Sequence, residues 1–137
     1  MIYEDIKKFN DMYKLVTPEK PEVINGRLEN FHKILVEELK EVDDIYPATS
    51  DLEMLVNLAD WLGDIIIYCL SEMLRWGLDP ETVLRIIMQS NFSKLGEDGE
   101  PIYDDRGKVM KGPGYWKPEP ALKDYIASRL NPEGEQV

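Results

Sequence analysis

Cysteine and histidine are nearly absent from this chain of 137 residues, which contains one of each, Cys69 and His32. A lone cysteine forms no internal disulfide, so the chain is not a disulfide-stabilised secreted domain, and a reducing cytoplasm fits. The lone histidine has no cysteine or second histidine near it in sequence and is expected to be a surface side chain. A di-iron bundle is set aside, because it needs a Glu-x-x-His pair on each of two helices.

Basic residues are also scarce. The chain has 27 acidic and 16 basic residues, a net charge of -11. This balance argues against a nucleic-acid-binding surface. An anionic small substrate remains compatible with it, provided that divalent cations carry the charge.

Targeting and catalytic motifs are missing as well. The start, MIYEDIKKFND, lacks the basic and apolar regions of a signal peptide. The apolar stretch Val56–Leu74 contains Asp60, Asp64 and Glu72, which are costly in a bilayer, so we expect a cytoplasmic protein without a membrane span. The chain has no Walker loop, no CxxC and no Ser/His/Asp order typical of hydrolases.

What is present is helical periodicity. At this length we expect one domain, residues 1–137, with an all-α fold: a bundle of four to five helices followed by a long loop near the C-terminus. Ser50 with Glu53 predicts a capping box, Gly77 a helix end, and Asp79 with Pro80 a helix start. The predicted helices span about 3–15, from 22–27 to 45, 51–76, 79–93 and 121–130; NPEGEQV is expected to fray.

The third of these helices is apolar on nearly all sides. A helix of this kind is central, and in so small a domain part of its surface is expected to meet another subunit. We therefore expect oligomerisation to complete the bundle. The loop after Lys94 is rich in glycine and proline and is expected to contain a small hairpin. Its length favours a functional role, and its aromatic residues argue against disorder.

Carboxylates cluster on two neighbouring helices. LVEELKEVDDI places Glu37, Glu38 and Glu41 within about one turn, and LADWLGDIIIY places Asp60 and Asp64 four residues apart. Antiparallel packing would bring the two groups together. Asp64, set among apolar residues, is expected to be buried and therefore to need a partner. Carboxylate oxygens suit Mg²⁺ and Mn²⁺, and the cluster is large enough for two ions. For Glu37, Asp43 and Asp44 a solvated helix face is a real alternative.

Three stretches together resemble a known family. EELKE, LADWLGDIIIY and MQSNFSKLGEDGEPIYDDRGKVMKGPGYWKPEP are similar to the all-α nucleoside triphosphate pyrophosphohydrolases, the MazG-like and phosphoribosyl-ATP pyrophosphohydrolase-like enzymes, particularly the compact phage and bacterial forms. The likeness covers about residues 27–120. It implies an all-α homodimer or homotetramer that cleaves a nucleoside triphosphate to the monophosphate and pyrophosphate with Mg²⁺, which Mn²⁺ can replace. For a phage-encoded member, the compartment would be the host cytoplasm.

The resemblance also assigns roles to the acids. Glu38, Glu41 and Asp64 fall where the family holds its metal, and Glu37 falls on a neighbouring acid that is a further ligand or a base. The family often has Glu-x-x-Asp on the second acidic helix, whereas Trp61 occupies the Glu position here. Asp60, one residue earlier, is taken as the replacement ligand. The resemblance thus implies that Glu37, Glu38 and Glu41 are catalytic and that the metal ligands are Glu38, Glu41, Asp60 and Asp64.

The nucleotide-binding residues are carried over in the same way. Relatives often have histidine after the Phe of the first helix, and this chain has Asn10 there, so a substrate contact at that point is in doubt. Lysine suits phosphate oxygens, and asparagine suits sugar or base edges. Tyr115 could stack on a base, and Trp116 more plausibly holds the loop. The residues that match family positions near the nucleotide are Asn91, Lys94, Lys108, Lys111 and Tyr115.

The expected mechanism is attack on the α-phosphorus by a water that the metal acidifies. Glu37 or Glu41 accepts the proton, and Lys94 and Lys111 stabilise the departing pyrophosphate. Preferences for dGTP, dUTP or dCTP, with a role in nucleotide-pool control, are all compatible. Three alternatives stay open: a phosphoribosyl-ATP pyrophosphohydrolase, a catalytically idle metal-stabilised nucleotide-binding oligomer, and a purely structural helical dimer.

Overall fold

Five α-helices make up most of the chain in a computed structural model that describes residues 1–130. Within this range there is no extended strand, and the only β-type pairing is a single bridge. The all-α prediction is confirmed, while completion of the bundle by oligomerisation stays a prediction. The helices are α1 (Ile2–Met12), α2 (Arg27–Lys40), α3 (Asp51–Arg75), α4 (Pro80–Phe92) and α5 (Pro118–Leu130).

The chain divides into two compact units, Met1–Leu78 and the part that begins at Asp79. Each is described by itself, and the expected single domain stays a prediction. The predicted frayed end, residues 131–137, lies outside the described residues.

In the first unit, α1 and α2 both pack against α3. The start of α2 meets the end of α3 through an ion pair between Arg27 and Glu72. The end of α2 meets the first half of α3, where the Trp61 indole donates to the carbonyl of Glu38 at 2.8 Å. These two contacts establish the expected antiparallel packing of α2 and α3.

Two helices stop earlier than predicted. Helix α1 stops at Met12, not near residue 15, and Lys14 has a positive φ of 58°. Helix α2 stops at Lys40, and Glu41–Asp44 continue as a 3₁₀ turn in which the Ile45 N–H bonds the Val42 carbonyl at 3.0 Å. The chain stays wound to residue 45, but with the tighter geometry common at helix ends.

The start of α3 confirms the predicted cap. The Ser50 hydroxyl accepts from the Glu53 N–H at 3.1 Å. The Glu53 carboxylate reaches back one residue further than in the usual capping box and accepts from Thr49, from its hydroxyl at 2.6 Å and its N–H at 3.0 Å. The far end is closed by Gly77, whose φ of 73° is the left-handed conformation expected after a helix.

Helix α3 leaves much apolar surface uncovered. Its side chains Leu52, Leu55, Leu62 and Ile66 are between 45% and 74% exposed. Among the described residues, only α3 is long and apolar enough to cross a membrane. That is weak evidence for a span, since the central helices of soluble bundles pass the same test, and α3 carries acids along its length.

In the second unit, α4 begins as predicted, with the Asp79 carboxylate accepting from the Thr82 N–H at 3.2 Å and Pro80 at the first helical position. Helix α5 packs against α4, and the Tyr125 hydroxyl accepts from the Asp79 N–H at 2.9 Å. Helix α5 begins at Pro118, three residues before the predicted start. Proline favours the first turn of a helix, so the early start is consistent with the sequence.

The long loop between α4 and α5 contains the expected small hairpin, with a bridge between Tyr103 and Val109. It then returns to the end of α4. The Gly112 N–H donates to the Lys94 carbonyl at 2.7 Å, and the Ser90 hydroxyl donates to the Trp116 carbonyl at 2.8 Å. The backbone of Trp116 thus helps to hold the loop.

Candidate functional site

Trp61 fixes α2 against α3 at the level of the acids. Its indole N–H donates to the backbone carbonyl of Glu38 at 2.8 Å. At the position where the resemblance led us to expect a carboxylate, this chain therefore has the donor of an interhelical hydrogen bond. The side chains of Glu38 and Asp64 project from the two helices that this contact joins.

Three carboxylates act on one phenol. Glu38, Glu41 and Asp64 all act electrostatically on Tyr68, and the Tyr68 hydroxyl bonds Glu38. Burial raises the pKa of Glu38, and the neighbouring charges of Glu41 and Asp64 raise it further. The charge on Glu38 is the main cause of a raised pKa at Tyr68. Crowded negative charge of this kind disfavours ionisation and is relieved by a nearby cation.

The expected burial of Asp64 is wrong for this chain. Glu38 is half-buried, whereas Asp64, Asp60, Glu41 and Glu37 are exposed. The apolar neighbours of Asp64 on α3 are largely uncovered as well, with Leu62 45% and Ile66 56% exposed. Sequence neighbours at adjacent positions do not share a helical face, so an apolar context in sequence did not imply burial.

Asp60 shares a cavity with only one member of this group, Glu41. It lines a cavity of about 190 Å³ with Glu41, and it is not among the groups that shift Glu38 or Tyr68. Glu37 is also absent from those groups. Within residues 1–130, no three acidic, histidine or cysteine side chains stand close enough to hold a metal ion as they are placed. The ligand assignments therefore stay predictions.

The predicted nucleotide-binding residues all lie in the second unit. Lys94 lies at the start of the loop, two residues after the end of α4. Its carbonyl accepts a hydrogen bond from the Gly112 N–H. The Lys111 ammonium lies 5.0 Å from the centre of the Tyr115 ring, a cation–π contact. Asn91 is exposed at the end of α4, and Lys108 is exposed in the hairpin. Lys94, Lys111 and Tyr115 are thus neighbours at one loop junction.

Sequence reasoning missed a chain of polar residues along α3. Tyr68, Glu72 and Arg75 continue the spacing of Asp64 at three or four residues. Glu72 is buried and accepts from Arg27 and from the Trp76 indole, the latter at 2.7 Å. The four-residue spacing of Asp64, Tyr68 and Glu72 indicated that these polar residues share one face of α3. The sequence did not indicate that Arg27 is the buried partner of Glu72, because that contact forms only on folding.

These residues line a cavity of about 420 Å³ in the first unit, together with side chains from α1 and α2. Its polar lining includes Asp64 and Tyr68 as well as Arg27, Glu72 and Arg75, and its apolar lining includes two phenylalanines. The cavity therefore shares two residues with the carboxylate group. Pockets with apolar walls and a few polar groups are typical of small-molecule binding.

Comparison with known proteins supports the fold. No protein-family model matches the chain, and no curated protein matches it. Solved structures do match, including the crystal structure of a putative NTP pyrophosphohydrolase from Exiguobacterium sp. 255-15. It has a TM-score of 0.59 and 22% sequence identity, over 96% of this chain and 97% of that one. At this identity the likeness establishes a shared all-α fold over nearly the whole length of both chains.

Proposed function

We propose that this chain is a nucleoside triphosphate pyrophosphohydrolase that depends on Mg²⁺ or Mn²⁺. The observation that carries the proposal is the grouping of Glu38, Glu41 and Asp64 around Tyr68 at the α2–α3 contact. The groups that act on the Glu38 charge are all acids or the tyrosine in the described part of the chain. The shared fold with a protein described as acting on nucleoside triphosphates supports the same proposal.

The residues suit a hard divalent cation. Mg²⁺ and Mn²⁺ bind carboxylate oxygens, and Mg²⁺ commonly takes only one or two protein carboxylates and keeps several waters. A closed cage of acids is therefore not required. Glu38, Glu41 and Asp64 would hold the ion, with Asp60 as a further ligand. When bound, the cation would neutralise triphosphate charge and lower the pKa of water.

The protein's own groups would complete the chemistry. Glu37 or Glu41, both exposed to solvent, would accept the proton of the water that attacks the α-phosphorus. Tyr68 would hold Glu38 in position through its hydrogen bond. For the second unit we propose that Lys94 and Lys111 bind phosphate oxygens and that Asn91, Lys108 and Tyr115 contact the nucleotide.

The test is hydrolysis of canonical ribo- and deoxynucleoside triphosphates with Mg²⁺ or Mn²⁺, scoring pyrophosphate against orthophosphate. We expect pyrophosphate from at least one nucleotide. Glu38→Gln and Asp64→Asn should lower turnover by at least about a hundredfold, since metal catalysis contributes several kcal/mol to transition-state stabilisation. Asp43→Asn, which removes an exposed acid from the same region, is the matched control and should retain activity.

Metal binding is measured separately. A cation that binds the folded chain must raise its melting temperature, and the two site variants should lose that shift while the control keeps it. A metal-dependent shift without pyrophosphate from any nucleotide would favour the idle binding protein or a different substrate. Unchanged melting with metal, together with unchanged turnover in both site variants, would overturn the proposal.

A further inference from the structure

The cavity beside the carboxylate group has two chemically different ends. Asp64, Tyr68, Ser71, Glu72 and Arg75 all line it from α3. Their spacing of three or four residues places them along one helical face. At 1.5 Å per residue, Asp64 and Arg75 are separated by about 16 Å along the helix axis. The cavity is therefore elongated, with an acidic end near Asp64 and a guanidinium end near Arg75.

At the guanidinium end, the hydrogen-bond acceptors are already engaged. One Glu72 oxygen accepts from Arg27 and the other accepts from the Trp76 indole. Nearby, Asn10 accepts from the Ser71 hydroxyl at 2.7 Å and donates to the Ser71 carbonyl at 3.2 Å. These acceptors are satisfied within the protein.

Donors remain unsatisfied at the same end. The Nε atoms of Arg27 and Arg75 are buried and have no hydrogen-bond partner among the described residues. Arg27 is 14% exposed at its side chain, so water reaches it poorly. Buried polar groups are normally hydrogen-bonded, and exceptions call for an explanation. Two guanidinium groups against one carboxylate also leave this end positively charged. A ligand that completes it must present acceptors.

Between the ends, the walls are apolar. Phe9 from α1, Phe31 and Ile34 from α2, and Ile67 from α3 line the cavity. Such walls suit a flat ring and disfavour a polyphosphate along the cavity. A nucleotide has both parts: phosphates for the acidic, metal-binding end and an aromatic base for the walls. Arginine is well suited to keto oxygens and ring nitrogens of a base, as in its pairing with guanine O6 and N7.

We propose that Arg75 and Arg27 select nucleobases that carry a keto oxygen on the edge remote from the sugar, as guanine, uracil and thymine do. Adenine and cytosine place an amino group there. That group would face the N–H donors of the arginines, so neither the amino group nor the arginines would find a hydrogen-bond acceptor. The inference rests on the proposed function for the position of the phosphates. It adds the class of base, and it assigns a specificity role to two residues outside the carboxylate group.

The first test compares hydrolysis of dGTP, dTTP and dUTP with that of dATP and dCTP. The wild type should favour the keto bases in kcat/KM, and Arg75→Gln should reduce that preference by at least about tenfold. Arg85→Gln, which changes an exposed arginine of α4, is the matched control and should preserve the preference. An unchanged preference in Arg75→Gln, or a wild type that favours amino bases, would overturn the inference while leaving the hydrolase itself intact.

Folding is controlled by a conservative variant. Removing Arg27 would leave Glu72 buried without its partner, so Arg27→Lys replaces truncation there. The lysine keeps the positive charge but lacks the planar guanidinium and its Nε–H donor. Arg27→Lys should therefore weaken base discrimination while the metal-induced shift in melting temperature is retained.

Binding is measured independently of hydrolysis, by calorimetry with dGMP and dUMP against dAMP and dCMP. Keto-selective binding without hydrolysis of any triphosphate would overturn the proposed function and support this inference. Phosphate oxygens are the other hydrogen-bond acceptors that a nucleotide offers, and binding of inorganic triphosphate tests whether the arginines bind them. If Arg75→Gln weakens inorganic triphosphate binding and leaves base discrimination unchanged, the arginines bind phosphate and the inference is wrong.

Discussion

Asn10 of α1 and Ser71 of α3 exchange two hydrogen bonds, one from the Asn10 amide to the Ser71 carbonyl at 3.2 Å and one from the Ser71 hydroxyl to the Asn10 oxygen at 2.7 Å. Asn10 is completely buried. In the family that the sequence resembles, histidine often stands at this position. Here the residue holds one helix to another, so its side chain is engaged in structure and not available to a substrate.

Asn10→Ala should therefore destabilise the protein. The variant leaves the Ser71 groups unsatisfied, and we expect a loss of about 1–3 kcal/mol in the free energy of unfolding, measured by urea denaturation. Asn30→Ala, at an exposed position of α2, is the matched control and should have little effect. Equal stability of the two variants would contradict the assigned role of Asn10.

Trp61→Phe tests whether the interhelical bond supports the carboxylate group. The variant keeps an aromatic ring but removes the donor to the Glu38 carbonyl. We expect a loss of about 1 kcal/mol in the free energy of unfolding and a smaller melting shift with Mg²⁺. Trp116→Phe is the control, since Trp116 holds the loop through its backbone. A full Mg²⁺ shift in Trp61→Phe would show that this bond does not position the acids.

Gly77 and Gly63 should respond in opposite ways to alanine. At Gly77 the φ is 73°, and an added Cβ would lie 2.1 Å from the Lys20 carbonyl oxygen. Gly77→Ala should cost at least about 2 kcal/mol. At Gly63, inside α3, an added Cβ meets nothing within 4 Å. Gly63→Ala should stabilise the helix by up to about 1 kcal/mol. Thermal melts of both variants check the pair, and a destabilised Gly63→Ala would indicate that another chain covers that face.

Glu53 should make stability depend on pH. Hydrogen bonds from the Thr49 side chain, and then from its backbone, lower the pKa of Glu53. Because the folded state binds the proton less readily than the unfolded chain, the contribution is present above the unfolded pKa and is lost as the pH falls through the folded value. Wild type and Glu53→Gln should therefore differ most near neutral pH and converge in acid. Denaturation at pH 7 and at pH 3 measures this, and a constant difference would contradict it.

The predicted features that the structure confirmed were mostly local ones. The cap at Ser50, the left-handed end at Gly77 and the start at Asp79 and Pro80 each depend on a few adjacent residues and on backbone groups that must be satisfied at helix ends. Antiparallel packing of α2 and α3 followed from the short connection between them. The end of α2 was harder to predict from the sequence, because the change from α-helix to 3₁₀ geometry at Glu41 leaves the periodic pattern of apolar residues nearly unchanged.

The carboxylate group was partly visible in sequence. The spacing of Glu38, Glu41 and Asp64 indicated acids on facing helices, and the charges of all three raise the pKa of Tyr68. Their assignment as metal ligands stays a prediction. The same spacing also suggested Asp60, which lines a second cavity with Glu41, and its role as a ligand stays a prediction.

The sequence by itself determined the helices and the ends that carry a capping signal, since hydrophobic period and capping chemistry act over a few residues. Tertiary structure alone decided which groups became partners across long separations: Asn10 with Ser71, Arg27 with Glu72, and Trp61 with the backbone of Glu38. These contacts depend on the rotation of one helix about its axis relative to another. That rotation follows from the packing of whole faces, and no short pattern along the chain encodes it.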